Sequence, residues 1–165
     1  MKIALTGHRP NKLGFEYDHN GPMSEYLMKQ MQEIMQLYKP AHIITGMALG
    51  ADTLWALTAI KLGTPFIAAV PFKGQEKAWP LASQQRYREI LAKAAEVVIV
   101  CEGGYAPWKM QKRNEWMVDH CNMLISVWDG TAGGTANCVA YASKVGKLTR
   151  NISPKEFGDF RLLSR

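Results

Sequence analysis

Three glycine-rich turns, each placed directly after a short apolar run, constrain the fold of this chain more than any other feature. Thr6-Gly7-His8-Arg9-Pro10 follows Met1 to Leu5, and Thr45-Gly46-Met47-Ala48-Leu49-Gly50-Ala51-Asp52 follows His42 to Ile44. Asp129-Gly130-Thr131-Ala132-Gly133-Gly134-Thr135 follows Leu124 to Trp128. Each turn runs into a segment of helical character. Strand, turn and helix in that order build a parallel sheet whose strand C-termini share one edge. Three such turns therefore converge on one crevice fed by helix N-terminal amides. That edge suits a phosphate.

The rest of the chain continues the alternation, which predicts an α/β fold: one three-layer αβα Rossmann-like domain with a mostly parallel sheet. Strands are expected over Lys2 to Thr6, His42 to Thr45, Pro65 to Val70, Glu96 to Cys101, Met123 to Trp128 and Lys147 to Ile152. Between them, Met23 to Tyr38 repeats Leu27, Met31, Ile34 and Tyr38 at helical spacing, so its apolar stripe faces the sheet. Helices are also expected over Ala51 to Leu62, from Trp79 or Pro80 to about Ala94, over Lys109 to His120, and over Gly134 to Val145. The domain spans residues 1–152. Residues 153–165 read as a tail in which Phe157, Phe160, Leu162 and Leu163 are able to dock on the body.

A chain of 165 residues that is 47% hydrophobic and 21% charged can bury a single substantial core, and no linker-like stretch divides it. The net charge of +6 favours an anionic partner, whether nucleotide or polynucleotide. Cys101, Cys121 and Cys138 are widely spaced and form no metal-binding or redox pair, so they read as small buried hydrophobes of a reducing compartment. No cofactor and no metal are called for. Apolar runs are too short for a membrane span, and the polar turn after Leu5 leaves no signal-peptide core, so a cytoplasmic protein is expected.

Each turn carries its own chemistry. Gly7 admits close backbone approach, His8 supplies a titratable donor, and Arg9 supplies a planar fork able to grip a phosphate. Gly46 and Gly50 bracket the second turn, where Asp52 either caps the following helix or accepts from a ribose hydroxyl. Gly133, Gly134 and Thr135 make the best phosphate cradle, because two successive positions without side chains open the helix N-terminus; a plain turn capped by Thr135 is the alternative. Phe72, Gln75 and Trp79 sit on a further loop of the same edge, where an aromatic platform beside Lys73 and Lys77 suits base stacking. The spacing of the second turn matches neither the phosphate loop of NTPases nor the Gly-x-Gly-x-x-Gly fingerprint.

Taken in order, these motifs resemble those of YpsA-like members of the SLOG superfamily, a Rossmann-like group related to DprA and to LONELY GUY-type phosphoribohydrolases. The resemblance runs through about Ala142. It rests on the three turns together with Pro71-Phe72, Gln75, Trp79, Gln85, Tyr87, Arg113-Asn114, Met117-Val118-Asp119 and Gly133-Gly134-Thr135-Ala136-Asn137. It implies a site for a nucleotide or nucleotide-derived ligand, with Asn137 as a further polar contact. Related folds often pair subunits through helices flanking the site, which makes a homo-oligomer an open expectation.

Three functions are compatible with that resemblance: a ligand-sensing or sequestering protein, a nucleotide hydrolase or N-glycosidase, and a DprA-like DNA binder. For the enzyme, Arg113 fits the arginine of LONELY GUY-type proteins, but Cys138 falls where their glutamate stands. Asn137 is no base. N-glycosidic cleavage needs a carboxylate to stabilise a cationic sugar or activate water, and Asp129 and Glu102, each just after a strand, are the candidates that remain. The sensing reading is preferred.

Overall fold

A computed structural model describes residues 1–14 and 19–158. Six strands, β1 (Lys2–Gly7), β2 (His42–Thr45), β3 (Phe66–Val70), β4 (Glu96–Ile99), β5 (Met123–Val127) and β6 (Leu148–Ile152), form one sheet in the order β4-β3-β2-β1-β5-β6. Every pairing is parallel. The sequence indicated a mostly parallel sheet; the described residues make a wholly parallel one.

Both faces of the sheet are covered, and strand alternation shows how. Ile3, Leu5, Ile43, Phe66, Ala68, Met123 and Ile125 point into one core with α2 (Pro22–Tyr38), α3 (Ala51–Leu62) and α4 (Leu81–Leu91). Ala4, Ile44, Ile67, Ala69 and Leu124 point the other way, onto α5 (Pro107–His120) and α6 (Gly134–Lys144) through Met117, Val118, Cys121, Cys138 and Ala142. Residues of opposite parity along one strand thus feed opposite layers. Burial pushes the Cys138 thiol up to about 12, consistent with its packing as a small hydrophobe between sheet and helix.

Short elements depart from the periodic reading. Pro10–Leu13 forms a four-residue helix, α1, where the sequence indicated only a turn. Its Leu13 is buried in the first core, and Pro10 takes the first helical position. A 3₁₀ turn over Gln75–Ala78 precedes α4, which starts at Leu81 and ends at Leu91, inside the expected limits. β4 stops at Ile99, before Cys101. After β6, Ser153 accepts a hydrogen bond at its carbonyl from the Tyr26 hydroxyl, 3.0 Å, and Phe157 packs against the Tyr26 ring. Phe160, Leu162 and Leu163 lie outside the described residues.

Strand order fixes where a ligand can sit. From β1 the chain proceeds outward through β2, β3 and β4, then crosses back to place β5 on the other side of β1. The connections after β1 and β5 therefore leave the sheet in opposite directions, and a cleft opens between them at the strand C-termini.

Candidate functional site

The cleft at that switch point has a volume of about 320 Å³. The end of β1 contributes Thr6, Gly7, His8 and Arg9, and α1 contributes Asn11 and Lys12. The β2–α3 connection adds Ala48 and Asp52, α5 adds Met110, Arg113 and Asn114, and the β5–α6 turn adds Thr131 and Gly133 to Ala136. Among the described lining residues three side chains are permanent or near-permanent cations, and Asp52 is the one carboxylate.

On the rim, the β5–α6 turn is held open. Asp129 Oδ1 accepts from the Thr131 amide at 3.0 Å and from the Thr131 hydroxyl at 2.6 Å, and lies 2.8 Å from His8 Nε2. These donors hold the Asp129 carboxyl well below the usual aspartate range. Gly133, not Thr135, is the N-cap of α6, and no side chain caps the helix. A Cβ built on Gly134 would meet nothing within 4 Å, and one on Gly133 would meet only the Lys12 amine at 3.6 Å. Lys12 reaches across the mouth of the cleft to Thr131 Oγ1 at 3.0 Å and the Ala132 carbonyl at 3.3 Å. The exposed Arg9 side chain makes no hydrogen bond or ion pair among the described residues. An uncapped helix start, a lysine and an unengaged arginine thus face one space.

The floor is different in kind. Arg113 is 4% exposed; it donates through Nη1 to the Gly46 carbonyl and through Nε to Asn114 Oδ1 at 2.9 Å. Asp52 lies in the first turn of α3, whose N-cap is Gly50, and its Oδ2 accepts from the Ala48 amide at 3.2 Å. Burial pushes the Asp52 carboxyl up and the Arg113 guanidinium down, and each is the strongest opposing influence on the other.

Several glycines expected to admit a ligand instead admit protein. A Cβ on Gly46 would lie 2.5 Å from Arg113 Nη1 and 2.8 Å from Asp52 Oδ2. One on Gly7 would lie 2.5 Å from the Ala51 Cβ, and one on Gly50 would run into the His8 carbonyl. The close approach they allow seats α3 on β1, where the Ala51 amide donates to the His8 carbonyl at 3.1 Å.

Other expected site residues do not reach the cleft. Phe72 is buried edge-on to Tyr105, and Trp79 packs edge-on to Tyr87, so neither is a platform for a base there. Gln75 is buried and donates toward the Gly46 carbonyl at 3.3 Å, supporting the β2–α3 turn from behind. Asn137 is exposed and outside the lining. Glu102 is exposed beyond β4, with its backbone carbonyl held by Lys109 Nζ. Asn114, Lys12 and Asn11 line the cleft without having been singled out from sequence as contacts. For Asn114 a signal existed: Met110, Arg113, Asn114, Met117, Val118 and Cys121 follow the spacing of a core-facing stripe, and two polar residues interrupt it.

Fold and cleft together define a Rossmann-like α/β domain with a polar pocket at the switch point of its sheet. The family model YpsA, described as the YspA SLOG family, matches residues 3–153, and the chain belongs to that family. It is similar to the uncharacterized SPbeta prophage-derived protein YoqJ of Bacillus subtilis (strain 168), with 35% identity over 138 residues covering 74% of this chain and 81% of YoqJ. Among solved structures it resembles DNA processing protein A (DprA) of Streptococcus pneumoniae, with a TM-score of 0.67 and 19% identity. That match covers 91% of this chain and 49% of DprA, so the chain spans about half the length of that neighbour. DprA of Helicobacter pylori, solved in connection with its single-stranded DNA binding mode, gives a TM-score of 0.65 at 19% identity, over 92% of this chain and 64% of that one. At these identities the structural likeness speaks to fold. Among the described residues no helix is long and apolar enough to cross a membrane.

Proposed function

We propose that this protein binds a nucleotide or nucleotide-derived ligand, phosphoribosyl or ADP-ribose-like, through its phosphate at the switch-point cleft, and holds it as a sensor or sequestering protein. The observation that carries this reading is the open first turn of α6, where a Cβ on Gly134 would meet no described residue within 4 Å, on the same cleft as an Arg9 guanidinium that makes no hydrogen bond or ion pair among the described residues. Unpaired helix amides and a free guanidinium are complementary to a phosphate in charge and hydrogen-bond direction.

Binding is favoured over turnover by the state of the carboxylates. Glu102 is outside the cleft, and Asp129 is tied to Thr131 and His8 with a depressed pKa, which makes it a poor proton acceptor. A second reading, single-stranded DNA, is favoured by the net charge of +6 and by the fold shared with the Helicobacter pylori protein.

Mass spectrometry of small molecules released by denaturing purified protein, paired with thermal melts in the presence of nucleotides, tests the proposal. An intact phosphorylated ligand and a concentration-dependent rise in Tm are expected. Release of free base or ribose phosphate would replace sensing by hydrolysis. Binding of single-stranded DNA with a steep salt dependence, and no nucleotide effect, would move the function to nucleic acid.

A further inference from the structure

Asp52, Arg113 and Asn114 are 4%, 4% and 7% exposed and line the cleft, and each keeps a side-chain polar atom with no hydrogen bond to a described residue. Asp52 uses Oδ2 on the Ala48 amide, which leaves Oδ1. Arg113 uses Nη1 and Nε, which leaves Nη2; Asn114 uses Oδ1, which leaves the Nδ2 donors. The Asn114 orientation follows from chemistry, since arginine only donates and the atom facing Nε must be the amide oxygen. Among the described residues, the side-chain atoms that are sealed from solvent without a partner lie elsewhere, on Ser24, Trp55, Gln75 and Glu76. The three floor atoms therefore open into the cleft.

We propose that this floor reads the hydroxyl groups of a sugar, so that the cleft selects a phosphorylated ribose over its 2-deoxy counterpart. The inference rests on the phosphate site proposed above and adds the part of the ligand beneath it. A hydroxyl both donates and accepts, and a vicinal pair matches one acceptor, Asp52 Oδ1, set beside two donors, Asn114 Nδ2 and Arg113 Nη2. A phosphate only accepts, and the Asp52 carboxylate repels it, so the anion belongs at the α6 rim and the neutral hydroxyls at the floor. Among the described residues no Phe, Tyr or Trp lines the cleft, so its described floor offers no stacking surface for a base. An acidic side chain holding ribose hydroxyls at a sheet switch point is a recurrent solution in this class of fold.

Isothermal titration of the full chain with ribose 5-phosphate, 2-deoxyribose 5-phosphate and inorganic phosphate tests this directly. The ribose compound is expected to bind about tenfold or more tighter than the deoxy compound, the effect of one hydrogen bond to a charged group. Asp52→Asn keeps an oxygen for the Ala48 amide and turns the cleft-facing acceptor into a donor, so it is expected to erase the ribose preference while phosphate binding persists. Should that variant unfold in a thermal melt, Asn114→Asp inverts the neighbouring atom and is expected to weaken ribose 5-phosphate more than inorganic phosphate. Equal affinity of the wild-type chain for the two sugar phosphates overturns the hydroxyl reading and leaves the phosphate site standing. No binding of any of the three overturns both.

Discussion

The β2–α3 and β5–α6 turns look alike in sequence, each a strand followed by spaced glycines and a helix, but the space created by their missing side chains goes to opposite uses. Around Gly46 and Gly50 it is filled by Arg113, Asp52 and the His8–Arg9 backbone. Around Gly133 and Gly134 Lys12 is the one described side chain at the margin. One turn is a joint that locks a helix and a buried arginine to the sheet. Its counterpart is a mouth. A glycine in a strand-to-helix turn therefore signals close approach without saying whether the visitor is a ligand or another part of the same chain.

The largest contrast is expected from backbone substitutions. Gly50 has φ +94° and faces the His8 carbonyl, so Gly50→Ala combines strain with overlap and is expected to lower stability by about 2–5 kcal/mol in denaturant melts. In the open turn, Gly134→Asp places a carboxylate at the helix start; it is expected to change stability by no more than about 1 kcal/mol while cutting nucleotide affinity about tenfold or more, read by titration. If both variants lose stability alike, the distinction between joint and mouth fails. A gentler probe is Arg9→Ala, expected to leave stability within about 0.5 kcal/mol and to weaken phosphate binding by about tenfold.

A smaller effect separates the two carboxylates of these turns. Asp129 has a folded pKa below its ordinary value of 3.8, so the stability it contributes is present above that value and lost as pH falls through and below it. Asp52 has a folded pKa above 3.8; its contribution is present below 3.8 and lost as pH rises through the folded value. Melting curves between pH 3 and 6 are therefore expected to flatten at the acid end in Asp129→Asn and to lose a slope of opposite sign in Asp52→Asn.

Much of the architecture was legible from local pattern. The β-branched runs at Val97 to Val100 and Ile43-Ile44, and the stripe of Leu27, Met31 and Ile34, carry their period on their face, and the turns marked the strand C-terminal edge. Elements without a period were not legible: Pro10–Leu13 and Gln75–Ala78 are single turns of helix, too short to repeat. Within the site, the Gly133-Gly134 turn was readable because its openness is partly local. The floor was not, because Arg113 reaches the Gly46 carbonyl across 67 residues of chain, and only the fold brings α5 over that turn. Phe72 and Trp79 illustrate the converse, since aromatic rings near an edge are recruited by the nearest apolar neighbour.

β1 is an interior strand, flanked by β2 and by a β5 that lies far along the chain, with Ile3 opposite Met123. Until the ribosome has delivered β5, one side of β1 presents bare amides and carbonyls, and the α6 mouth does not exist. Nascent chains shorter than this lack part of the lining of the cleft. Such long-range closure slows folding. The cleft at the strand C-termini can therefore form only once α6 is available to pack beside β1.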